Sequence, residues 1–181
     1  AGYGRAFGMR VLVWGSEASR ARAASDGFET AESRAALFQS SDVLSLHLRL
    51  GESTRGSITL EDLHRMKPTS LLVNTSRAEL IEAEALLAGL NRGHPGMAAI
   101  DVFESEPILQ GHALLRLENC VCTPHIGYVE MDSLEDQFSE IFEQVLLWQA
   151  GQPVHVVNPL VLAQQAQQPP GQDGENTSGV A

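Results

Sequence analysis

The sequence predicts an α/β protein with a Rossmann-type, doubly wound parallel sheet, and three observations favour this fold. Short apolar runs alternate with helical patterns, and this β-α-β rhythm repeats four times along the chain. Each run is apolar on both faces, as strands of a buried parallel sheet are. The 181 residues, 43% of them hydrophobic, suffice for one ordinary core and part of a second. We therefore expect right-handed helical crossovers between parallel strands.

The opening stretch, GYGRAFG from Gly2 to Gly8, resembles the glycine turn that binds the phosphates of a dinucleotide. Such a turn follows one strand and opens a helix before the next strand begins. Here only Ala1 precedes Gly2, and a strand-like run begins at Met9. We interpret Gly2 to Phe7 as the end of a helix and Gly8 as its left-handed stop. The first strand and the true glycine turn are then expected upstream of this chain.

The predicted elements follow in order along the chain. The strand-like runs are Met9 to Trp14, Asp42 to Leu48, Ser70 to Thr75, Gly96 to Val102 and Cys120 to Thr123. The helix-like segments are Ala31 to Gln39, Thr59 to Met66, Glu82 to Asn91 and a long amphipathic stretch from Glu130 to Ala150. The second of these helices begins well, because Thr59 is a favourable cap and acidic residues follow it in the first turn.

The domain organisation predicted from these elements has three parts. Residues 1–118 form a dinucleotide-binding Rossmann domain that lacks its first strand and glycine turn. Residues 119–159 form a last strand and the long amphipathic helix, whose apolar face must pack on something apolar. Residues 160–181 have no aromatic side chain and little to bury, which predicts a disordered tail.

Composition narrows the class of partner. The formal net charge of -11 disfavours nucleic acid and anionic membrane surfaces, because both require clustered Lys and Arg. No apolar run approaches the roughly 20 residues of a membrane span. The two cysteines are too few for a disulfide framework, and no signal peptide pattern is present. We expect a cytoplasmic protein that acts on a small molecule.

Side chains suited to catalysis follow the predicted strands, at the edge where open α/β sheets bind ligands. Arg77 follows one strand, Asp101 ends the next, Glu106 lies in the loop after it, and His125 follows the last. Each has an ordinary structural interpretation when taken alone. Together, they indicate a site for an anion and for proton transfer.

Three segments that carry these residues are similar to the hallmark segments of the D-isomer-specific 2-hydroxyacid dehydrogenases. They read NTSRAELIEAEALLAGLNRG, AAIDVFESEP and CTPHIG. The resemblance implies that Arg77 binds the substrate carboxylate, that His125 transfers the proton, and that Glu106 is the acid of a Glu-His pair. Arg suits this role because its planar fork holds a carboxylate through two hydrogen bonds. The implied substrate is a 2-hydroxy or 2-keto acid, and the implied assembly is a homodimer. The resemblance also implies that residues 119–159 are the return crossing and the C-terminal helix of a substrate domain.

The resemblance also implies which residues line the cofactor groove. They are Gly15, Ser16, Glu17, His47, Leu48, Thr75, Ser76, Arg77, Asp101, His125 and Gly127. Three departures from the family pattern reshape the expected groove: Ala78 stands where Gly is usual, Arg49 where the HxPL segment has Pro, and Tyr128 where HIGG has its last Gly. Tyr128 either narrows the site or packs as an ordinary loop tyrosine.

The cofactor is expected to be NAD, with NADP as the open alternative. NAD-preferring members place an Asp at the end of the second strand, where it accepts hydrogen bonds from the ribose diol. Glu17 is the candidate substitute. In the alternative, Ser16 with Arg20 or Arg22 receives the 2′-phosphate of NADP.

Other functions fit the sequence less well. A metal site at Cys120, Cys122 and His125 lacks a fourth ligand, and a serine hydrolase would need a G-x-S-x-G elbow that this chain does not contain. Formate dehydrogenases have Gln at the position of Glu106. The alternative that remains is a non-enzymatic, dinucleotide-sensing corepressor, because such proteins keep similar segments.

Overall fold

Four parallel strands form the main sheet of this protein in the computed structural model, which describes residues 1–165. The strands are β3 (Val43–Leu46), β4 (Leu71–Asn74), β5 (Met97–Ile100) and β6 (Cys120–Cys122), and they are neighbours in that order. In register, Leu72 pairs with Leu44 on one side and with Ala98 on the other. The predicted parallel α/β sheet is confirmed, and all four carboxyl ends meet at one edge.

Two shorter strands pair separately from this sheet. The strands β1 (Leu12–Val13) and β2 (Glu29–Thr30) are parallel, and α2 (Glu17–Ser25) connects them. Neither α2 nor β2 was predicted from the pattern. Of the residues in α2 only Ala23 is buried, and both residues of β2 are exposed, so these elements carry little hydrophobic periodicity.

The first helix, α1 (Gly2–Ala6), ends in the way its glycine indicates. Gly8 has a φ of 77°, in the left-handed region that glycine adopts without steric cost. The Gly8 N–H donates to the Arg5 carbonyl at 2.9 Å, and the Met9 N–H donates to the Gly4 carbonyl at 2.9 Å. These are the two bonds of a Schellman motif, so GYGRAFG is the C-terminal end of a helix.

Helices cover the main sheet between its strands. They are α3 (Arg34–Ser40), α4 (Leu60–Arg65) and α5 (Ala85–Arg92), with 3-10 turns at Ala78–Leu80 and Ala113–Arg116. The predicted cap of α4 is present as a capping box, in which Thr59 and Asp62 exchange hydrogen bonds. Arg34 also donates to the Asp62 carboxylate, which ties α3 to this end of α4.

The core lies between α4, α5 and the central strands. Leu63, Leu72, Leu80 and Ala98 are fully buried within it. Each leucine contributes about 1.5–3 kcal/mol through burial, and together they fix the strands whose ends carry the site residues.

The contacts divide the chain after residue 128, and a second unit begins at Val129. It contains α6 (Met131–Gln149) and α7 (Leu160–Gln165). None of residues 131–149 is buried, and Phe142 is 65% and Trp148 72% exposed. Within residues 1–165, no helix is long and apolar enough to cross a membrane.

The predicted domain boundaries at 118 and 159 stay predictions. The short helix α7 occupies the first residues of the tail that was expected to be disordered. Residues 166–181 of that tail lie outside the described residues.

Candidate active site

The turn after β4 positions Arg77 through a buried amide. Asn74 is 1% exposed, its side-chain amide donates to the Arg77 carbonyl at 2.9 Å, and its Oδ1 accepts from the Ser76 N–H at 3.0 Å. The Ser76 hydroxyl donates to the Leu48 carbonyl at 2.7 Å, which joins this turn to the segment after β3. The exposed Arg77 side chain therefore projects from a backbone that is fixed at several points.

His125 and Glu106 form the hydrogen-bonded Glu-His pair that the resemblance implied. His125 Nδ1 lies 2.7 Å from Glu106 Oε2, and Glu106 Oε1 accepts from the Phe103 N–H at 3.0 Å. The hydrogen bond from His125 lowers the pKa of Glu106, and the Phe103 N–H and the charge of Arg77 act in the same direction. Because an ionised carboxylate only accepts, Nδ1 carries a proton and Nε2 is left for a reactant.

Arg77 follows β4 at this edge of the sheet, and its positive charge contributes to the lowered pKa of Glu106. One guanidinium nitrogen, Nη1, donates to the Ser76 carbonyl at 2.6 Å. The structure thus pairs His125 with Glu106 and places Arg77 after β4, at the same carboxyl edge of the sheet.

Asp101 holds the loop that carries His125. Its carboxylate accepts from the Thr123 hydroxyl at 2.5 Å, from the Ile126 N–H at 2.9 Å and from the Gly127 N–H at 2.8 Å. These three hydrogen bonds, the Asp101 clasp, join the end of β5 to the loop after β6. Burial opposes ionisation of the carboxyl, but the three hydrogen bonds together outweigh it and lower the pKa of Asp101.

The loop needs glycine at position 127 because of the clasp. A Cβ on Gly127 would lie 2.9 Å from Asp101 Oδ2 and 3.8 Å from the Thr75 Cβ. His125, two residues earlier, has a φ of 56°, a left-handed conformation that is uncommon for residues with a side chain. Such backbone strain persists only where neighbouring contacts hold it in place, and the clasp supplies them.

The remaining predicted cofactor residues lie at two other strand ends. His47 follows β3, and its Nε2 shares a hydrogen bond of 3.0 Å with the hydroxyl of Ser45 within that strand. Gly15, Ser16 and Glu17 follow β1, in the two-stranded sheet, where the Ser16 hydroxyl caps α2 by accepting from the Ser19 N–H at 3.2 Å. Side-chain hydrogen bonds join the segment after β3 to the turn after β4, and the end of β5 to the loop after β6. Within residues 1–165, none of these bonds involves Gly15, Ser16 or Glu17.

Two other groups lie outside the site. Glu104 is 3.5 Å from His112 Nε2, and both line a cavity of about 370 Å³ whose lining does not include the three catalytic candidates. The Sγ atoms of Cys120 and Cys122 are 3.7 Å apart, and burial raises the pKa of Cys120 to about 12, which keeps it a thiol. The described residues contain no group of three or more potential metal ligands.

Two contributors have no assigned role in the sequence interpretation. Thr123 donates to the clasp, and the Phe103 N–H orients Glu106. The position of Thr123, two residues before His125, was the only feature of the sequence that could have indicated its role. The Phe103 hydrogen bond comes from the backbone N–H, so residue type could not predict it.

A parallel α/β sheet with helical crossovers and polar side chains at its carboxyl edge is a Rossmann-type domain. The family model for the D-isomer specific 2-hydroxyacid dehydrogenase, NAD binding domain, matches residues 1–127. The chain belongs to this family.

Several known proteins are similar to the chain. An (S)-sulfolactate dehydrogenase of Chromohalobacter salexigens is 41% identical over 71% of the chain and 41% of its own length. A glyoxylate reductase of Korarchaeum cryptofilum is 36% identical over 85% of the chain and 46% of its own length. The crystal structure of an oxidoreductase from Ralstonia solanacearum has 63% identity and a TM-score of 0.85 over 89% of the chain and 47% of its own length. The chain therefore spans less than half the length of these three proteins.

Proposed function

We propose that this chain is part of an enzyme that transfers hydride between NAD(P) and a D-2-hydroxy acid or its 2-keto acid. The observation that carries the proposal is the His125–Glu106 pair, whose Nδ1 and Oε2 atoms are 2.7 Å apart, at the carboxyl edge of the sheet where Arg77 also lies. Family membership supports it, since the matching model is that of an NAD binding domain.

The three side chains divide the chemistry between them. Arg77 binds the carboxylate of the substrate through its planar fork and polarises the C2 oxygen. His125 Nε2 donates a proton to that oxygen when the keto acid is reduced, and takes it back when the hydroxy acid is oxidised. Glu106 keeps the imidazolium form favourable, because its carboxylate is ionised and accepts the Nδ1 proton.

The cofactor, when bound, supplies or accepts the hydride, and one orphaned polar atom is consistent with its position. The Nε atom of Arg20 is buried without a hydrogen-bond partner within the described residues, near the end of β1. The guanidinium lies 4.5 Å from the centroid of the Trp14 ring. A cation held at this strand end fits the ribose and phosphate region that the fold predicts there.

The preferred cofactor depends on Glu17 and Arg20. We propose NAD, with Glu17 accepting the ribose diol, while the arrangement of Arg20 favours NADP as the second candidate. Glu17→Gln should weaken NAD binding by about 10-fold or more, since hydrogen bonds to a charged group contribute about 1.5–3 kcal/mol. Arg20→Ala should instead weaken NADP binding. Calorimetric titration of both variants with both cofactors separates the alternatives.

The corepressor alternative is less favoured, because the similar proteins named above are a dehydrogenase and a reductase. A cytoplasmic homodimer that acts on a small acid remains part of the proposal. Light scattering of the purified protein measures the assembly.

Turnover in the complete open reading frame that contains this chain tests the function. His125→Gln should leave cofactor affinity nearly unchanged and reduce kcat by about 10²- to 10⁴-fold, the usual contribution of a positioned acid-base group. Arg77→Ala should raise KM for the acid as well. Full activity of His125→Gln would refute the assignment. Turnover of none of the small 2-keto acids, together with intact NAD binding, would favour the sensing protein.

A further inference from the structure

The ring of Tyr128 packs against the imidazole of His125. The two centroids are 5.9 Å apart and the planes meet at 88°, the edge-to-face arrangement that aromatic pairs favour. Tyr128 is the first residue beyond the part of the chain that the family model matches. Its side chain is 64% exposed, so burial does not account for this placement.

One hydrogen bond leaves the imidazole a degree of freedom. The Glu106 contact restrains Nδ1 alone, and small changes in the two side-chain torsions can still tilt the ring while this bond is kept. Such a tilt changes the direction in which Nε2 points, and proton transfer requires that atom within hydrogen-bond reach of the reacting oxygen. A second ring set perpendicular to the first restricts this tilt.

The backbone before Tyr128 is itself fixed. The Gly127 N–H is held by the clasp at 2.8 Å from Asp101 Oδ2, so the chain enters Tyr128 from a defined position. The Tyr128 ring therefore packs on His125 from an anchored backbone, although its own side chain faces solvent.

We propose that Tyr128 is a positioning residue that fixes the plane of the His125 imidazole. The expected effect on turnover rests on the proposed function. The expected effect on the orientation of the imidazole rests on the ring contact alone. An edge-to-face pair of this kind corresponds to about a two- to twelvefold effect on an equilibrium or a rate.

The test compares Tyr128→Ala with Tyr128→Phe in the complete open reading frame, with Tyr3→Ala as the control. Tyr3 is 87% exposed on α1. Tyr128→Ala should lower kcat for keto-acid reduction about two- to twelvefold with KM unchanged. Tyr128→Phe and Tyr3→Ala should match the unmodified protein. Urea unfolding midpoints of all variants should coincide, because both tyrosines are largely exposed.

A measurement that needs no turnover accompanies the kinetics. Nuclear magnetic resonance with labelled histidine reports the ring protons of His125, which are assigned by their loss in His125→Gln. Removal of the neighbouring ring current in Tyr128→Ala should move this resonance, and Tyr128→Phe should keep it in place.

Each contrary outcome overturns a stated part. A resonance unmoved in Tyr128→Ala overturns the contact, whatever the turnover. An unchanged kcat in Tyr128→Ala, a change in KM alone, or a Tyr128→Phe variant as impaired as Tyr128→Ala overturns the positioning role. Absence of turnover in the unmodified protein overturns the proposed function, while the resonance still decides the contact.

Discussion

Replacement of Asp101 by Asn should loosen the loop that carries His125. An Asn side chain has one acceptor oxygen in place of two, so it cannot accept from both the Ile126 and the Gly127 N–H groups, which now bond to different oxygens. Both bonds are partly buried, and an N–H that loses its partner there costs up to about 1–3 kcal/mol. The Asp101 side chain is nearly inaccessible, so water does not readily replace the lost acceptor.

Two measurements check this expectation. The free energy of unfolding in urea should fall by about 1–3 kcal/mol in Asp101→Asn. The amide hydrogens of Ile126 and Gly127 should exchange about 5- to 150-fold faster, the same free energy expressed as local opening. Thr123→Val is the matched control, because it removes one donor and keeps both backbone bonds. Its loss should be smaller, below about 1.5 kcal/mol.

The effect should depend on pH in one direction. The pKa of Asp101 is lowered in the folded protein, so its contribution is present above the unfolded value near 3.9 and is lost as the pH falls through the folded value. The difference between the native protein and Asp101→Asn should therefore be largest near neutral pH and shrink on acidification. A difference below about 0.5 kcal/mol at neutral pH, within the range of an ordinary surface substitution, would refute the reasoning.

Two further predictions concern the same loop and its partner. Gly127→Ala should destabilise the protein by about 1–3 kcal/mol in urea, because its Cβ meets the clasped carboxylate, whereas Gly111→Ala has room and should have little effect. Glu106→Gln should make the pH profile of keto-acid reduction begin its decline at lower pH, because a lowered pKa keeps Glu106 anionic and its charge favours the imidazolium form of His125. Glu104→Gln is the control, and a profile shifted equally in both variants would contradict the pairing.

Hydrophobic periodicity was sufficient for the main sheet and for the strand ends that carry the site. The strands β3 to β6 lie within the predicted runs, and α4 begins at the predicted cap. Strands buried on both faces require apolar residues and helix caps favour particular residue types, so both features can be predicted from the sequence. The strand β2 and the helix α2 were missed because nearly all of their side chains are exposed.

The parts of the site that could not be predicted depend on backbone geometry. Glu106 and His125 are 19 positions apart, and their contact follows from the order of β5 and β6 in the sheet. Two of the three donors to Asp101 are N–H groups, which every residue except proline possesses. The left-handed backbone conformation of His125 likewise cannot be predicted from its residue type.

The clasp also has a consequence for biosynthesis. A ribosome completes Asp101 well before the three donors of residues 123–127, so a nascent chain that stops between them presents an acidic side chain without its partners. Burial of this carboxylate is unfavourable until residues 123–127 have been synthesised, because an unpaired charge is costly to remove from water. The same holds for a chain nicked by a protease in this interval. The segment that carries His125 thus also completes the end of β5, and a protein that has lost this segment is expected to hold the end of β5 less firmly.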